Sequence, residues 1–506
     1  MATATKKTTT KTKAKTTSKT SSPKQVDRKK VEEILSVFEE ISKIPRCSGN
    51  EVQIGQWLLD WASAQQLEAR RDPVGNVLIK VPASKGYEKS KTVVIQGHQD
   101  MVCQKVPDSS HDFSKDPLEL VSDGEWLSAS GTTLGADNGI AVALAVVFAK
   151  DKSVKHPPLE LLFTVQEEVG LAGVEGLQPD FIEGEILLNL DSEEEGEFTI
   201  GCAGGQNSNL ALPLECIEVP GYHRPYKLVA GGMKGGHSGT DINAQRANAI
   251  KVLCRVLNAM MAEDDIRVAF IAGGTLHNAI PRDAEAIVFV PEHRIEHHRQ
   301  LVATQEKTLK DEYKQTDPKL KLSFEPCQVQ DNRAILPGCG KRAIDFLLAL
   351  PHGVAAMSTE IEGLVETSNN LAIVKVEEGK LKVTSSQRSS VMSRLKAHTN
   401  CIEAVARLAG AEAYSSEGYP AWEANWDSPL VALCKQVYQK TFRTEPEIKV
   451  IHAGLECGQI GDKYPGMEMV SFGPTIRDAH SPTERLHIES IGKVWIFTTE
   501  LLKALK

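Results

Sequence analysis

The stretch TVVIQGHQD, residues 92–100, decides the fold, because a short apolar run leads directly into a histidine and an aspartate. Two further runs of this kind follow, LELLFTV (159–165) and EILLNL (185–190), and the helical pattern NGIAVALAVVFAKD (138–151) lies between the first and the second. Apolar runs of about four to eight residues bounded by turn signals are typical of buried strands. Strands that alternate with helices predict a largely parallel sheet covered on both faces, and hence an α/β fold.

Side chains that bind metal ions stand at or near the ends of these runs, and one more stands far downstream. In chain order they are His98, Asp100, Asp137, Glu167, Glu168, Asp191 and His480. The carboxyl ends of parallel strands meet at one edge of a sheet, where open α/β proteins bind their substrates. Two histidines and several carboxylates are the ligands that a pair of bridged divalent metal ions requires. The sequence therefore predicts a two-metal hydrolase.

The first three of these residues have distinct expected roles. Imidazole suits zinc, so His98 is expected to bind a metal ion. Asp100 lies two residues further on and is placed to accept the other ring N–H of His98, which would fix the tautomer of the ring. Asp137 follows a glycine at the start of a helix in TLGADNG (133–139), where its carboxylate could bridge both metal ions.

Glu167 and Glu168 are neighbours in the chain, and adjacent side chains diverge. One carboxylate can therefore bind a metal ion while the other faces the attacking water. We assign Glu168 to the metal and Glu167 to the general base, with Asp191 and His480 as the remaining ligands. Taken singly, each residue has another explanation: a solvated turn for the glutamate pair, an exposed acidic loop for Asp191, and an ordinary loop position for His480.

The composition excludes several classes of function. At 506 residues the chain is long enough for two domains or more. The net charge is −9 although residues 1–25 carry seven lysines and no acidic residue, so the body is acidic and nucleic acid is not its expected partner. No apolar run approaches the roughly 20 residues of a membrane span. Ten cysteines without CxxC spacing are typical of reduced thiols, which predicts a cytoplasmic protein.

The composition and the order of the predicted helices and strands indicate a basic tail followed by a catalytic domain that is split in two. Residues 1–25 are a low-complexity Thr/Lys/Ala segment, expected to be disordered, with a transit peptide or a contact with nucleic acid as the alternatives. Residues 26–208 and 415–506 are expected to form the two parts of the catalytic domain. Between them, residues 209–414 contain two successive βαββα patterns, which predict an inserted α+β lid domain.

Eight motifs together closely resemble the aminoacyl-histidine dipeptidases of the PepD type, a group of co-catalytic zinc exopeptidases related to carnosinase and peptidase T. The motifs are GHQDMV, TLGADNG, QEEVGLAG, NLDSEEEGE, KGGHSG, LHNAIPRDAEA, HAGLECG and DAHSPTE. The resemblance runs from about residue 30 to the C-terminus. It departs at Cys47, where a proline is expected, and that position touches no predicted ligand.

The resemblance implies a full set of site residues. His98 and Asp191 would hold one metal ion, Glu168 and His480 the other, and Asp137 would bridge them. Glu167 would be the base and Asp100 an orienting catalytic carboxylate. Three further implied roles fall outside the metal cluster: an oxyanion role for His237, often across a dimer, and binding of the substrate carboxylate by Asn278 and Arg388, with the backbone around Gly454 assisting. Without the resemblance, His237 would be read as part of a glycine-rich turn and Arg388 as a surface residue.

The expected function is that of a cytoplasmic, homodimeric metallo-dipeptidase with a zinc-exopeptidase-like αβα catalytic domain. Two divalent metal ions, zinc or alternatively manganese or cobalt, would activate the water that hydrolyses unblocked dipeptides such as β-Ala-His or Cys-Gly. An N-acyl-amino-acid amidohydrolase or a tripeptidase with the same metal core is the alternative within the enzyme class. The alternative outside the enzyme class is a metal-binding protein whose site is catalytically inactive. Retention of both Glu167 and Asp100 argues against the inactive site, because a structural metal site needs no free base.

Overall fold

The computed structural model describes residues 24–506, so the predicted tail lies almost wholly outside the described residues. The strands in chain order are β1 Glu68–Arg71, β2 Val77–Val81, β3 Val93–His98, β4 Leu120–Ser122, β5 Trp126–Ala129, β6 Leu159–Thr164, β7 Ile186–Asn189, β8 Glu197–Cys202, β9 Gly204–Pro213, β10 Cys216–Glu218, β11 His223–Gly231, β12 Arg267–Gly273, β13 Ala284–Pro291, β14 Lys321–Pro326, β15 Arg333–Ile335, β16 Gly353–Met357, β17 Val365–Glu377, β18 Lys380–Ser389, β19 Glu412–Ser415, β20 Glu447–Ile451, β21 Glu468–Ser471, β22 Ile476–Arg477 and β23 Arg485–His487. The helices are α1 Arg28–Ser42, α2 Val52–Ala64, α3 Ala136–Lys150, α4 Ala172–Gly176, α5 Ala249–Glu263, α6 Ile295–Glu312, α7 Pro337–Ala349, α8 Met392–Ala409, α9 Pro429–Phe442, α10 Glu456–Lys463 and α11 Ile488–Ala504.

An eight-stranded sheet carries the predicted metal ligands. Its strand order is β1-β2-β6-β3-β7-β21-β8-β20. The central strands β6, β3, β7 and β21 run parallel, while β1 and β2 add antiparallel strands at one edge. The predicted parallel sheet is thus present at its centre. Strand β21 comes from the far end of the chain, so the last ninety or so residues complete the sheet that the first two hundred begin.

Both faces of this sheet are buried, because alternate residues of its strands serve two cores. Val93 and Ile95 of β3 pack in the core under helices α1, α3 and α11, whereas Val94 packs in a second core with Val174 of α4 and Ile460 of α10. Successive side chains of a strand point to opposite faces, so continuous apolar runs need two cores. The burial of both faces is what the run TVVIQG predicted.

Helix α3 is buried along nearly its whole length and packs against α1 and β3. Its apolar residues therefore serve the core, and its N-terminal end brings Asp137 to the carboxyl end of β3. Within residues 24–506, no helix combines the length and the apolar character that a membrane crossing requires.

A nine-stranded antiparallel sheet forms the second unit, with the order β14-β11-β13-β12-β17-β18-β9-β19 and β16 paired to β17. Helices α5, α6, α7 and α8 pack on it through a separate apolar core. The two βαββα patterns of the sequence meet where β12 pairs with β17, while β14, the first strand of the second pattern, pairs with β11 of the first. An α/β unit interrupted by an α+β unit is the fold class that the sequence predicts. The predicted boundary at 208/209 falls inside β9, and the domain limits remain a prediction.

Cys47 and Cys103 form a disulfide, and the expectation that all ten cysteines are reduced thiols is therefore wrong for this pair. Their Cα atoms are 5.7 Å apart although 56 residues separate them in the chain. Cys47 forms a parallel β-bridge with Met101, which brings Cys103 close. Spacing gave no sign of the pair, because only the fold brings the two segments together. The other eight cysteines are free.

Candidate active site

Three parallel strands bring their ligands to one edge of the eight-stranded sheet. His98 ends β3 and pairs in register with Thr164 of β6, three residues before Glu167. Gln96 of β3 pairs with Asn189 of β7, two residues before Asp191. The register therefore fixes the heights at which these side chains leave the sheet. His98 is 1% exposed, so its ring is held by the core.

The fourth element is the turn that enters α3, and Glu484 holds it in place. The carboxylate of Glu484 accepts hydrogen bonds from the N–H groups of Leu134 (2.8 Å), Gly135 (2.9 Å), Ala136 (2.8 Å) and Asp137 (3.3 Å). A carboxylate that caps unpaired helix N–H groups stabilises the helix start. The turn that presents Asp137 is thus fixed by a residue of the distant C-terminal segment.

The same C-terminal segment carries His480, on the loop that joins β22 to β23. The two strands pair antiparallel, with Ile476 opposite Leu486. His480 has a φ of +62°, in the left-handed region that non-glycine residues seldom adopt, and its side chain is 50% exposed. The ring therefore stands at the mouth of the site, held by its loop rather than by the core.

The two carboxylate oxygens of Asp137 face different histidines. Its Oδ1 lies 3.1 Å from Nε2 of His98, and its Oδ2 lies 3.0 Å from Nε2 of His480. Oδ1 of Asp191 is 3.4 Å from Nε2 of His98, and Oε1 of Glu168 is 3.1 Å from Nε2 of His480. The described residues thus form two imidazole–carboxylate groups that share Asp137, while a third group combines His98 with Glu167 and Glu168.

This donor set fits divalent metal ions. Nδ1 of His98 lies 3.1 Å from the main-chain oxygen of Asp100, so this nitrogen carries a proton. Nε2 faces carboxylate oxygens of Asp137 and Asp191, so a cation, either a second ring proton or a metal ion, is required between them. Oδ1 of Asp191 and Oε1 of Glu168 are buried without a hydrogen-bond partner among the described residues. Cations between these nitrogens and oxygens would satisfy all of them.

The carboxylates around His480 also favour a positive charge at this position. Burial opposes its protonation, yet Asp137 and Glu168 raise the pKa of His480 to about 11. Burial, together with the negative charge of Asp137, raises the pKa of Glu168 to about 7. Like charges crowded into a low-dielectric site need counter-charges, and metal ions supply them more strongly than protons do.

Asp100 connects the ligand His98 to the glutamate pair. Its Oδ1 accepts a hydrogen bond from the N–H of Glu167 (3.0 Å), and its Oδ2 accepts from the N–H of Glu168 (3.3 Å) and from Oγ of Ser48 (2.7 Å). Oδ1 also lies 3.4 Å from Nδ1 of His98. Burial opposes ionisation of Asp100, but these partners lower its pKa. The carboxylate therefore stays charged and orients both the ring and the glutamate loop.

The surroundings of Glu167 are unfavourable for a charged carboxylate. Burial, with Asp191 and Glu168 nearby, raises the pKa of Glu167 well above its usual value, against the opposing effect of His98. The preceding residue, Gln166, has a φ of +53°, which turns the chain sharply at the end of β6. A raised carboxylate pKa suits a group that must both take up and release a proton near neutral pH.

His237 lies in the nine-stranded unit, and the main chain around it defines its ring. Nδ1 accepts hydrogen bonds from the N–H groups of Gly239 (3.3 Å) and Thr240 (3.2 Å), so the neutral ring carries its proton on Nε2. Burial and the charge of Arg388 lower the pKa of His237 to about 4, and His480 of the same chain contributes to this shift. His237 is therefore a neutral ring whose Nε2–H is available as a hydrogen-bond donor.

The three residues expected to bind a substrate carboxylate lie around this histidine. Arg388, on β18, is 7% exposed and donates a hydrogen bond from Nη1 to Oη of Tyr419 (2.8 Å). Asn278 is exposed, and its main-chain oxygen accepts from the N–H of Ser238 (2.8 Å). Gly454 packs against the ring of Tyr419. Arg388 is thus not the surface residue that its local sequence suggests.

Several residues that hold the site together were not predicted from the sequence. The buried guanidinium of Arg46 donates to the main-chain oxygens of Gln99 (3.1 Å), Asp100 (3.0 Å) and Gly135, and so ties the end of β3 to the start of α3. Glu484 stands in the quoted motif DAHSPTE, where its four-residue distance from His480 is the only signal. Nothing in the local sequence marks Arg46 or Tyr419, because their partners are remote in the chain.

The fold and these two imidazole–carboxylate groups define the class of metal-dependent hydrolases. Residues 94–504 match peptidase family M20/M25/M40, and the chain belongs to this family. The cytosol non-specific dipeptidase of Escherichia coli (strain K12) is 42% identical over 467 residues, which cover 92% of this chain and 96% of that protein. The chain is therefore a peptidase, and the family that its motifs predicted is confirmed.

Solved structures agree with this assignment. The aminoacylhistidine dipeptidase from Vibrio alginolyticus has a TM-score of 0.79 at 40% identity, over 93% of this chain and 96% of that one. The aminopeptidase PepT from Bacillus cereus, at 15% identity and a TM-score of 0.55 over 95% of this chain and 99% of that one, shares the fold alone. The predicted fold class, a zinc-exopeptidase-like αβα unit with an inserted lid, is confirmed.

Proposed function

We propose that this chain is a dipeptidase that uses two divalent metal ions to hydrolyse unblocked dipeptides. The observation that carries the proposal is the sharing of Asp137 between two imidazole–carboxylate groups. The names of the Escherichia coli and Vibrio alginolyticus relatives, at 42% and 40% identity, support dipeptides as the substrate class.

His98 and Asp191 would hold one ion and Glu168 and His480 the other, with Asp137 as the shared ligand. The distances of 3.0–3.4 Å between the facing nitrogens and oxygens support this division. Nitrogen and oxygen ligands suit zinc, with manganese and cobalt as the alternatives. Two bound ions would polarise the scissile carbonyl and acidify the attacking water.

Glu167 is the general base of the proposed reaction. It takes the proton of the attacking water and then delivers that proton to the leaving amine, so that the peptide bond breaks without a net change in protonation. Glu168 is the better metal ligand of the pair because its Oε1 faces His480, whereas Glu167 reaches only His98 and Glu168. Asp100 fixes the main chain of the two glutamates by accepting a hydrogen bond from each of their N–H groups.

His237 is the proposed oxyanion donor. The scissile carbonyl gains negative charge when water adds to it, and a neutral Nε2–H can donate a hydrogen bond to that oxygen. The tautomer fixed by Gly239 and Thr240, with the proton on Nε2, supports this role.

Arg388 and Asn278 would bind the free carboxylate of the dipeptide, with the backbone at Gly454 beside them. A guanidinium binds a carboxylate through two parallel hydrogen bonds, and the distance from this contact to the scissile bond then selects short substrates. Burial of Arg388 without a carboxylate partner among the described residues supports this assignment.

The alternatives, an N-acyl-amino-acid amidohydrolase and a tripeptidase, are not favoured by the relatives. A single assay separates the three activities: the metal-reconstituted protein is tested against β-Ala-His, Cys-Gly, Gly-Gly-Gly and N-acetyl amino acids. We expect hydrolysis of the two dipeptides and refusal of the acetylated compounds. Preferential cleavage of the acetylated compounds or of Gly-Gly-Gly would contradict the proposal.

The proposal also includes a cytoplasmic location and a homodimeric assembly. The name of the Escherichia coli relative supports a cytoplasmic protein. The Cys47–Cys103 disulfide argues the other way, because disulfides are rare in a reducing cytosol. Thiol labelling of the protein in intact cells, before and after reduction, would decide between them. The homodimer remains a prediction, for which sedimentation of the purified protein is the test.

A further inference from the structure

Tyr419 lies in the segment that returns the chain from the nine-stranded sheet to the catalytic sheet. Its main chain is fixed by Gly205: the N–H of Tyr419 donates to Gly205 O (2.9 Å), and the N–H of Gly205 donates to Tyr419 O (3.1 Å). Its hydroxyl oxygen accepts the hydrogen bond from Nη1 of Arg388 at 2.8 Å. The tyrosine therefore joins the return segment directly to the guanidinium on β18.

Two glycines make room for the ring of Tyr419. A Cβ atom at Gly205 would lie 2.5 Å from the Oη of Tyr419, and one at Gly454 would lie 2.9 Å from its Cε2. Side chains do not approach one another so closely, so the ring can occupy this position only because both neighbours lack side chains. Its hydroxyl is consequently held at one place relative to Arg388.

Arg388 has unused hydrogen-bonding capacity. Its Nε atom is buried and has no hydrogen-bond partner among residues 24–506, and in the same range no carboxylate pairs with its charge. A guanidinium offers a carboxylate two parallel donors along one edge. Tyr419 accepts one hydrogen bond from Nη1, and the edge formed by Nε and Nη2 remains free to bind a carboxylate.

We propose that Tyr419 is a positioning residue that turns the free Nε–Nη2 edge of Arg388 toward the C-terminal carboxylate of the dipeptide. The inference rests on the proposed function, in which Arg388 binds that carboxylate. It adds a specificity determinant outside the motifs of the family resemblance. A tyrosine that served only to fill space would act through its ring, whereas this role depends on a single oxygen atom.

The test is Tyr419→Phe, which keeps the ring and removes only the hydroxyl. Ala-Ala and Ala-Ala amide are assayed with the metal-loaded full chain. A lost hydrogen bond to a charged group predicts a KM for Ala-Ala about tenfold higher, with kcat changed by less than about twofold. The KM for the amide should not change, because the amide offers no carboxylate. Tyr414→Phe is the matched control, since Tyr414 lies on β19 with 69% exposure, and it should match the wild type.

Two results would overturn the inference. An unchanged KM for Ala-Ala in Tyr419→Phe would remove the role of the hydroxyl, and an equal loss with both substrates would mean that the residue is merely structural. The proposed function is judged on the wild type instead. If the wild type cleaves Ala-Ala amide as well as Ala-Ala, carboxylate recognition itself is wrong and both proposals fall. The double variant Arg388→Lys/Tyr419→Phe should have the same KM for Ala-Ala as Arg388→Lys alone, because the guanidinium that Tyr419 orients is already absent.

Discussion

The Oδ2 atom of Asp137 lies 3.0 Å from Nε2 of His480, although 343 residues separate the two in the chain. The first residue opens a core helix and the second stands on a C-terminal loop, and Glu484 fastens that loop to the helix start. The contact therefore joins the N-terminal and C-terminal parts of the catalytic unit, which an inserted domain separates in the sequence. Metal binding is expected to depend on that contact.

Asp137→Ala should remove both metal ions, because one carboxylate serves both groups. Asp191→Ala should weaken only the ion beside His98 and leave about one ion per chain. Metal content after dialysis against a weak chelator, measured by atomic emission, distinguishes the two variants. Two ions per chain in Asp137→Ala would exclude a bridging role.

Glu167→Gln should retain both ions and lose turnover by about 10²–10⁴-fold, because an amide cannot accept the proton of the attacking water. Glu168→Gln is the matched variant at the adjacent position and should lose metal as well as activity. Steady-state kinetics with metal analysis on both proteins tests the pair. If Glu167→Gln kept more than about half of the wild-type activity, the base would have to be sought elsewhere.

His237→Ala should leave the metal content intact and lower kcat by about 10²–10³-fold with a smaller change in KM, as expected for a donor used mainly in the transition state. Mixing His237→Ala with Glu167→Gln subunits tests where the histidine acts: if it acts in its own chain, the mixture should regain no activity. Restored activity in the mixture would show that the histidine acts across a subunit interface.

Arg388→Ala should raise KM for free dipeptides strongly, and Arg388→Lys should rescue only in part, because an ammonium cannot form two parallel hydrogen bonds to a carboxylate. Arg394→Ala offers a control, since the side chain of Arg394 is 54% exposed and pairs with Glu366, which is not a predicted site residue. The measurement is kcat and KM for several dipeptides. Equal kcat and KM values for the two alanine variants would mean that Arg388 does not bind the substrate carboxylate.

Loss of the Cys47–Cys103 disulfide should lower the free energy of unfolding by up to about 4 kcal/mol, since the bond closes a long loop in the unfolded chain. Cys47→Ser/Cys103→Ser is compared with the wild type in denaturant, with and without a dithiol reductant. The reductant should destabilise only the wild type. Ten reactive thiols in the unreduced, denatured wild type would mean that the bond is absent in solution.

The catalytic sheet and its metal ligands could be predicted because their signals are local. A continuous apolar run such as TVVIQG has to be buried on both faces, and a parallel strand buried in this way presents its next polar residues, His98 and Asp100, at a ligand-binding edge. The motif DAHSPTE likewise carried His480 within a recognisable local pattern. The fold class and the peptidase family followed from such segments.

Tertiary structure alone decided which remote residues support these ligands. The role of Arg46 depends on three main-chain oxygens that belong to other parts of the chain. The role of Tyr419 depends on a guanidinium on β18 and on two glycines that leave space for its ring. The Cys47–Cys103 disulfide has the same origin. A sequence records which side chains are present and how they alternate over a few residues. Contacts between segments far apart in the chain arise only when packing brings them together, and at this site those contacts orient the reacting groups.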